Sequence, residues 1–219
     1  MAFDASPPAD CQACPRLARF REANRAAYPD WRNAPVESFG DRDARLLVVG
    51  LAPGLRGANR TGRPFTGDYA GDLLYATLLD CGFARGAYQR RADDGLRLCD
   101  CAIVNVVRCV PPENKPTPAE IAACRPYLAG ALGALPRLQA ILALGRIAHD
   151  SVLRALGLRP ARFAFAHGAR HDFEGVGIVM FDSYHCSRYN TNTGVLTVPM
   201  FRAVVAAVSA HLATKPTRG

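Results

Sequence analysis

The sequence predicts an α/β domain with a mostly parallel central sheet and helices on both of its faces. Two patterns carry that prediction. Short apolar runs of strand length alternate with amphipathic stretches of helix length through most of the chain. The polar segments 53–69, 108–117 and 183–197, the first of them glycine-rich, each follow an apolar run. In such sheets the ligand crevice lies beyond the carboxyl ends of the strands. The three segments are therefore expected to meet on one edge of the sheet and build one site there.

The elements follow in order. Cys11 and Cys14 stand at the start of an N-terminal helix. Residues 45–52 (Arg-Leu-Leu-Val-Val-Gly-Leu-Ala) read as a buried strand, and residues 70–81 as a helix. A second strand covers 101–107. The helix over 117–132 has a clear start, with Thr117 as N-cap, Pro118 at the first helical position and Glu120 closing a capping box. Residues 138–144 form the third strand, and the helix 146–156 ends at Gly157. A fourth strand over 177–181 and a last helix over 198–213 complete the pattern. The whole, 1–219, reads as one domain without repeats or linkers, its ends 1–10 and 214–219 loose. No apolar run is long enough to span a bilayer, and the N-terminus lacks the apolar core of a signal peptide. The expectation is a protein of the cytoplasm with no membrane partner.

The formal net charge is +8, and nearly all of the positive charge is arginine; Lys115 and Lys215 are the lysines. Arginine forks hold phosphate oxygens and stack on bases, so a polyanion is the natural partner. A GC-rich genome would also favour arginine, so charge alone leaves nucleic acid open. Eight cysteines are many for a cytosolic chain, where disulfides are rare. Cys11 and Cys14 form a C-x2-C pair, and Cys109 and Cys124 flank a proline-rich loop. A close pair plus a looped pair suits a tetrahedral zinc or a [4Fe–4S] cluster, and composition leaves both open. Cys81, Cys99 and Cys101 sit in or beside helix and strand patterns and read as buried apolar cysteines.

The loop after the first strand carries Gly50, Gly54, Gly57, Gly62 and Gly67, with Arg56, Arg60 and Arg63 among them. It holds neither Gly-Lys-Ser/Thr nor G-x-G-x-x-G, which excludes the common phosphate fingerprints. Its Gly-Leu-Ala-Pro-Gly start and the following Ala-Asn-Arg-Thr-Gly-Arg-Pro-Phe-Thr-Gly-Asp resemble the first motif of the uracil-DNA glycosylase superfamily, in its family-5 form. Asn105-Val-Val-Arg-Cys-Val-Pro-Pro, the Thr-Pro-Ala-Glu-Ile helix start and Ser183-Tyr-His-Cys-Ser-Arg-Tyr-Asn-Thr-Asn-Thr-Gly194 resemble later motifs in the right order, so that the likeness spans about 11–205. The resemblance implies a three-layer α/β/α glycosylase fold. It also implies a [4Fe–4S] cluster on Cys11, Cys14, Cys109 and Cys124 rather than zinc, and uracil in double-stranded DNA as substrate. Hypoxanthine or xanthine would be further bases. Such an enzyme is expected as a monomer in a prokaryotic cytoplasm, at the nucleoid when it acts on DNA.

Base removal passes through a cation-like sugar, so it needs a gripped base, a stabilised leaving group and a placed water near an anion. Phe65 is the candidate to grip the base, although a loop-anchoring role would also explain it. Gly50 and Ala52 are expected beside the base. Asn105, an amide inside an apolar strand end, can read a pyrimidine edge, or serve a structural hydrogen bond. His185 opens the last polar loop and can donate to the departing base. Leu51 and Ala52 offer no acid where related glycosylases carry one, and the resemblance points instead to Asp68, with Asp72 as rival; helix capping would also explain either. Arg56, Arg60, Arg63, Ser187 and Arg188 are the expected DNA contacts. Cys186 stands where relatives often have proline, which alters the turn. No lysine falls in the matched catalytic motifs except Lys115 beside the cluster loop, so water is the expected nucleophile. The rival reading is a nucleic-acid-binding module whose metal only holds the fold; it requires the basic face but not Asp68, Asn105 and His185 together.

Overall fold

The computed structural model of the chain describes residues 6–173 and 175–214. Its elements in chain order are α1 (Pro15–Ala27), β1 (Phe39–Gly40), β2 (Leu46–Gly50), α2 (Ala58–Thr61), α3 (Tyr69–Asp80), β3 (Ala84–Arg85), β4 (Arg97–Leu98), β5 (Cys101–Asn105), α4 (Pro118–Gly133), β6 (Ala140–Leu144), α5 (Arg146–Ala155), β7 (Arg170–Asp172), β8 (Val179–Ser183), α6 (Arg188–Asn192) and α7 (Val198–Thr214). The main sheet has the order β1-β5-β2-β6-β8-β7. Its four inner strands run parallel, and the short edge strands β1 and β7 pair antiparallel.

Alternation along the buried strands sorts the core into two layers. Leu46, Val48, Ile103, Leu142 and Phe181 face α3 and α7. Leu47, Val49, Val104, Ile141 and Met180 face α1, α4 and α5. This is the three-layer α/β/α arrangement, with every inner strand buried along its whole length, as parallel strands covered on both faces must be. The start of α4 has the expected capping box: Glu120 N–H donates to Thr117 Oγ1, and Thr117 N–H donates to the Glu120 carboxylate.

Two expectations are corrected, and four short strands are added. The last inner strand is 179–183 rather than 177–181, because Gly175 and Gly177 both take positive φ and make a turn. Its polar end, Asp182 and Ser183, lies fully inside the protein. The two edge strands and the β3–β4 hairpin are too short to show a period. Residues 6–10 are not loose: Pro8 O accepts from Cys11 N–H, and Asp10 pairs with Arg25 at 2.7 Å. Residues 1–5 and 215–219 lie outside the described residues.

Candidate active site

The carboxyl ends of β2 and β5 open into a cavity of about 490 Å³, which also takes in residues that follow β8. All three polar segments reach it, through Gly54, Asn114 and His185 among others. The expectation that they share one edge of the sheet therefore holds. No lysine lines the cavity among the described residues.

The first loop is folded tightly over the sheet. Phe65 sits at φ +52°, a left-handed conformation that costs a bulky residue free energy and persists only where its surroundings fix it. The surroundings do so here. Tyr75 Oη donates to Pro64 O at 2.6 Å, and Tyr88 Oη donates to Phe65 O at 3.1 Å while accepting from Gly67 N–H. Gly50 lies beneath: a Cβ there would stand 2.5 Å from Phe65 Cζ and 2.6 Å from Asn105 Oδ1. Glycine at position 50 thus lets the Phe65 ring and the Asn105 amide lie side by side.

Asp68 caps α3, its Oδ1 accepting from Gly71 N–H at 3.2 Å. Burial raises its carboxyl above the ordinary value, against the lowering pull of the Gly71 amide. Asp72, one turn further on, holds Arg90 through both oxygens, at 2.8 and 2.5 Å. Of the two aspartates, Asp68 lines the cavity.

Asn105, at the end of β5, is buried, and its Oδ1 has no hydrogen-bond partner among the described residues. A buried acceptor left empty costs free energy unless a ligand fills it. His185 borders the same cavity, its ring centroid 6.0 Å from that of Phe65. Burial pushes its imidazole down to about 4, so the ring is neutral at physiological pH. Ala52 lines the cavity, whereas Gly50 sits under its floor.

The expected DNA contacts divide. Arg56, Ser187 and Arg188 line the cavity, Ser187 as the N-cap of α6 and Arg188 with its guanidinium 5.3 Å from the centre of the Tyr69 ring. Arg60 is exposed on the same loop and donates to Arg56 O. Arg63 is a correction. It is 5% exposed, grips both oxygens of Asp94 at 2.8 Å and lies among the rings of Phe39, Tyr75 and Tyr88. Its charge is spent inside the protein, bracing the Phe65 loop, so it has no fork free for phosphate. Sequence reasoning missed Tyr69 and Asn114, which line the cavity, and Tyr189, which stands 74% exposed beside Arg188. The aromatic placed directly after Asp68 was the signal available for Tyr69.

Cys11, Cys14, Cys109 and Cys124 line one small cavity between α1, α4 and the loop after β5, together with Leu17 and Arg21. Arg108 N–H points at Cys124 Sγ (3.4 Å), and the buried Arg21 guanidinium reaches Cys109 Sγ at 3.7 Å. Burial, and then the neighbouring sulfurs, push the Cys14 thiol up to about 11. The four are thus brought together; Cys186 is buried in the core instead, behind the site.

The sequence that builds this cavity at the carboxyl edge of a parallel α/β/α sheet is similar to that of known proteins. A family model described as the uracil DNA glycosylase superfamily covers residues 37–209, and this chain belongs to that superfamily. Within it the chain falls on the type-5 branch. A type-5 uracil-DNA glycosylase of Thermus thermophilus is 45% identical over 201 residues, 89% of this chain and 90% of that protein. One of Pyrobaculum aerophilum is 38% identical over 205 residues, 92% and 88% of the two chains. A type-4 uracil-DNA glycosylase of the same organism is more distant, 32% identical over 158 residues.

Proposed function

We propose that the cavity receives a uracil flipped out of duplex DNA, that Asn105 reads its edge, and that Asp68 places the water that releases it. Membership of the superfamily makes the chain a uracil-DNA glycosylase, a hydrolase of the N-glycosidic bond in DNA repair. The residue roles are our reading, and the empty Asn105 Oδ1 carries it. Uracil offers an N3–H donor beside a carbonyl acceptor, which complements the acceptor and donor of one amide. Cytosine presents a lone pair at the same position and would leave Oδ1 facing an acceptor.

In the reaction the water oxygen bonds to the sugar C1′ as the bond from C1′ to the base nitrogen breaks. The electron pair leaves with the base and collects on its O2, and the water proton passes to Asp68. Burial makes Asp68 a better proton acceptor than an ordinary aspartate, and its charge favours the cation-like sugar. His185, kept neutral, donates a hydrogen bond to the developing anion. Phe65 supplies an aromatic wall for the base. Hypoxanthine and xanthine also present N–H beside C=O, and we include them as substrates. Arg56 and Arg188 at the cavity, with Arg60 nearby, hold the backbone of the duplex.

We assign a [4Fe–4S] cluster to the four cysteines. Zinc–sulfur bonds of about 2.3 Å would set tetrahedral sulfurs roughly 3.8 Å apart. Among the described residues no three cysteine sulfurs lie within 4.8 Å of one another, wider than bonds to one zinc would set them. The N–H groups of Arg108 and Arg21 supply donors of the kind that tune cluster sulfurs. The cluster would join α1 to the loop that carries Asn114. We further propose a monomer working in a prokaryotic cytoplasm, at the nucleoid.

The test is a duplex with one uracil, treated with alkali after incubation, beside the same duplex carrying 3-methyluracil. Strand scission on the first and loss of it on the second are expected. Equal cleavage of both would remove Asn105 from base reading, and scission of neither would favour a binding module.

A further inference from the structure

The turn that carries His185 begins where the sheet's own hydrogen bonds stop. The last β6–β8 pair is Leu144 with Ser183, and Ser183 O accepts from Gly145 N–H at 2.8 Å. Beyond that point another element takes over. Tyr184 N–H donates to Nδ1 of His167 at 3.2 Å, and the His167 ring stacks on the Tyr184 ring with centroids 5.1 Å apart and planes 26° apart. On the far side of the turn, Asn190 Nδ2 donates to His185 O at 2.8 Å.

We infer that His167 is a positioning residue for His185: its unprotonated Nδ1 holds the Tyr184 amide and so fixes the direction in which His185 projects. The inference rests on the reading of His185 as the donor to the leaving base.

Chemistry fixes the state of this ring. Nδ1 faces an N–H donor and must therefore carry a lone pair, so the proton sits on Nε2. The backbone of Met200, near the start of α7, engages the same ring, and burial lowers its pKa further from protonation. His167 thus links the His185 turn to α7.

The segment bearing His167 is itself pinned. Gly168 N–H donates to Asp182 O, and Asp182 N–H to Ala169 O. Beneath them, His149 Nδ1 meets Asp182 Oδ1 at 2.9 Å while His149 Nε2 meets Phe163 O at 3.0 Å. Both ring nitrogens of His149 thus meet oxygens, and the buried ring bridges Asp182 and Phe163. His171 Nε2 takes the other carboxylate oxygen at 2.9 Å. Asp182 thus has a histidine on each carboxylate oxygen, and this cluster ties Phe163 O to the β7–β8 ladder. His167 is in consequence set on a rigid support.

The experiment uses single-turnover cleavage of a uracil duplex, with duplex affinity measured alongside, on His167→Leu, His167→Asn, His167→Gln and His185→Ala. An asparagine places its Oδ1 near the position of Nδ1 and can accept the Tyr184 amide; a glutamine places its acceptor near Nε2 and cannot. The leucine and glutamine variants should lose on the order of 10- to 100-fold in rate, the cost of a misplaced group, with affinity within about twofold. Asparagine should restore most of the rate. Combined with His185→Ala, His167→Leu should add little further loss. If the leucine variant does not fold, the asparagine–glutamine pair decides alone. Wild-type rates for both of those, with His185→Ala slow, would overturn the inference and leave the role of His185 standing. An undiminished rate for His185→Ala would instead overturn the reading beneath it.

Discussion

Gly57 and Asp68 are in backbone-to-carboxylate contact: a Cβ on Gly57 would stand 2.3 Å from Asp68 Oδ2. The carboxylate therefore occupies the space of a missing side chain, with one oxygen on the Gly71 amide and the other against the first loop. Gly57→Ala should displace Asp68 and lower the single-turnover rate on uracil, while α3 and the overall fold persist by circular dichroism. Full activity in that variant would show that the carboxylate need not sit where it does.

The same burial has a thermodynamic side. Folding raises the Asp68 pKa, so the native state holds that proton more tightly than the unfolded chain. The linked stability is present below the unfolded pKa and is lost as pH rises through the folded one. Asp68→Asn removes the charge but keeps the cap. It should cost on the order of 10²–10⁴-fold in rate yet melt at a higher temperature than the native protein at pH 7. Asp72→Asn should do neither, since Asp72 serves Arg90 at the surface. Calorimetry and single-turnover kinetics on both variants check the pair of effects.

His185 should titrate near its lowered value of about 4. Nitrogen-detected NMR of the imidazole at pH 7 is expected to show a neutral ring. A ring half-protonated near pH 6.5 would mean that the leaving base meets a cation rather than a neutral donor.

Arg63 and Arg188 should part company. Arg188→Ala is expected to weaken binding to every duplex and flatten the salt dependence by about one unit of slope. Arg63→Ala should leave that slope alone. It strands Asp94, whose carboxyl burial would otherwise raise but which the Arg63 fork holds well below the usual carboxylate range. Removing one partner of a buried pair costs about 3–5 kcal/mol, readable as a lowered denaturation midpoint. A changed salt slope with unchanged stability would return Arg63 to the DNA face.

Purified under argon, the protein is expected to be brown, with four irons per chain. Cys109→Ala should lose the iron and much of the stability, since metal binding and folding are coupled. Retention of all four irons in that variant would break the assignment of Cys109.

The contrast between Arg63 and Asn105 explains what could be read from the chain. Asn105 was legible because a polar amide closing an apolar strand needs a reason within its own segment. The cysteine pairs were legible because ligand spacing is local. Arg63 looked like its neighbours Arg56 and Arg60; what sets it apart is Asp94, 31 residues further on and brought under it by the β3–β4 hairpin. Asp182 shows the opposite case: it lies inside a buried strand because His149 and His171 meet its two carboxylate oxygens, and their approach cannot be read from a period of two.

The four-cysteine cavity also sets an order of events during synthesis. Cys11 and Cys14 leave the ribosome first, yet their partners Cys109 and Cys124 follow only after β2 and β5 have been made. Leu17 packs among residues of β5 and α4, and Arg21 reaches Cys109, so α1 has no completed surface to dock on until then. Such long-range closure is slow compared with local structure. The N-terminal helix thus waits, solvent-exposed, for more than half of the chain to emerge. Closure of the four-cysteine cavity and docking of the first helix then become one late step.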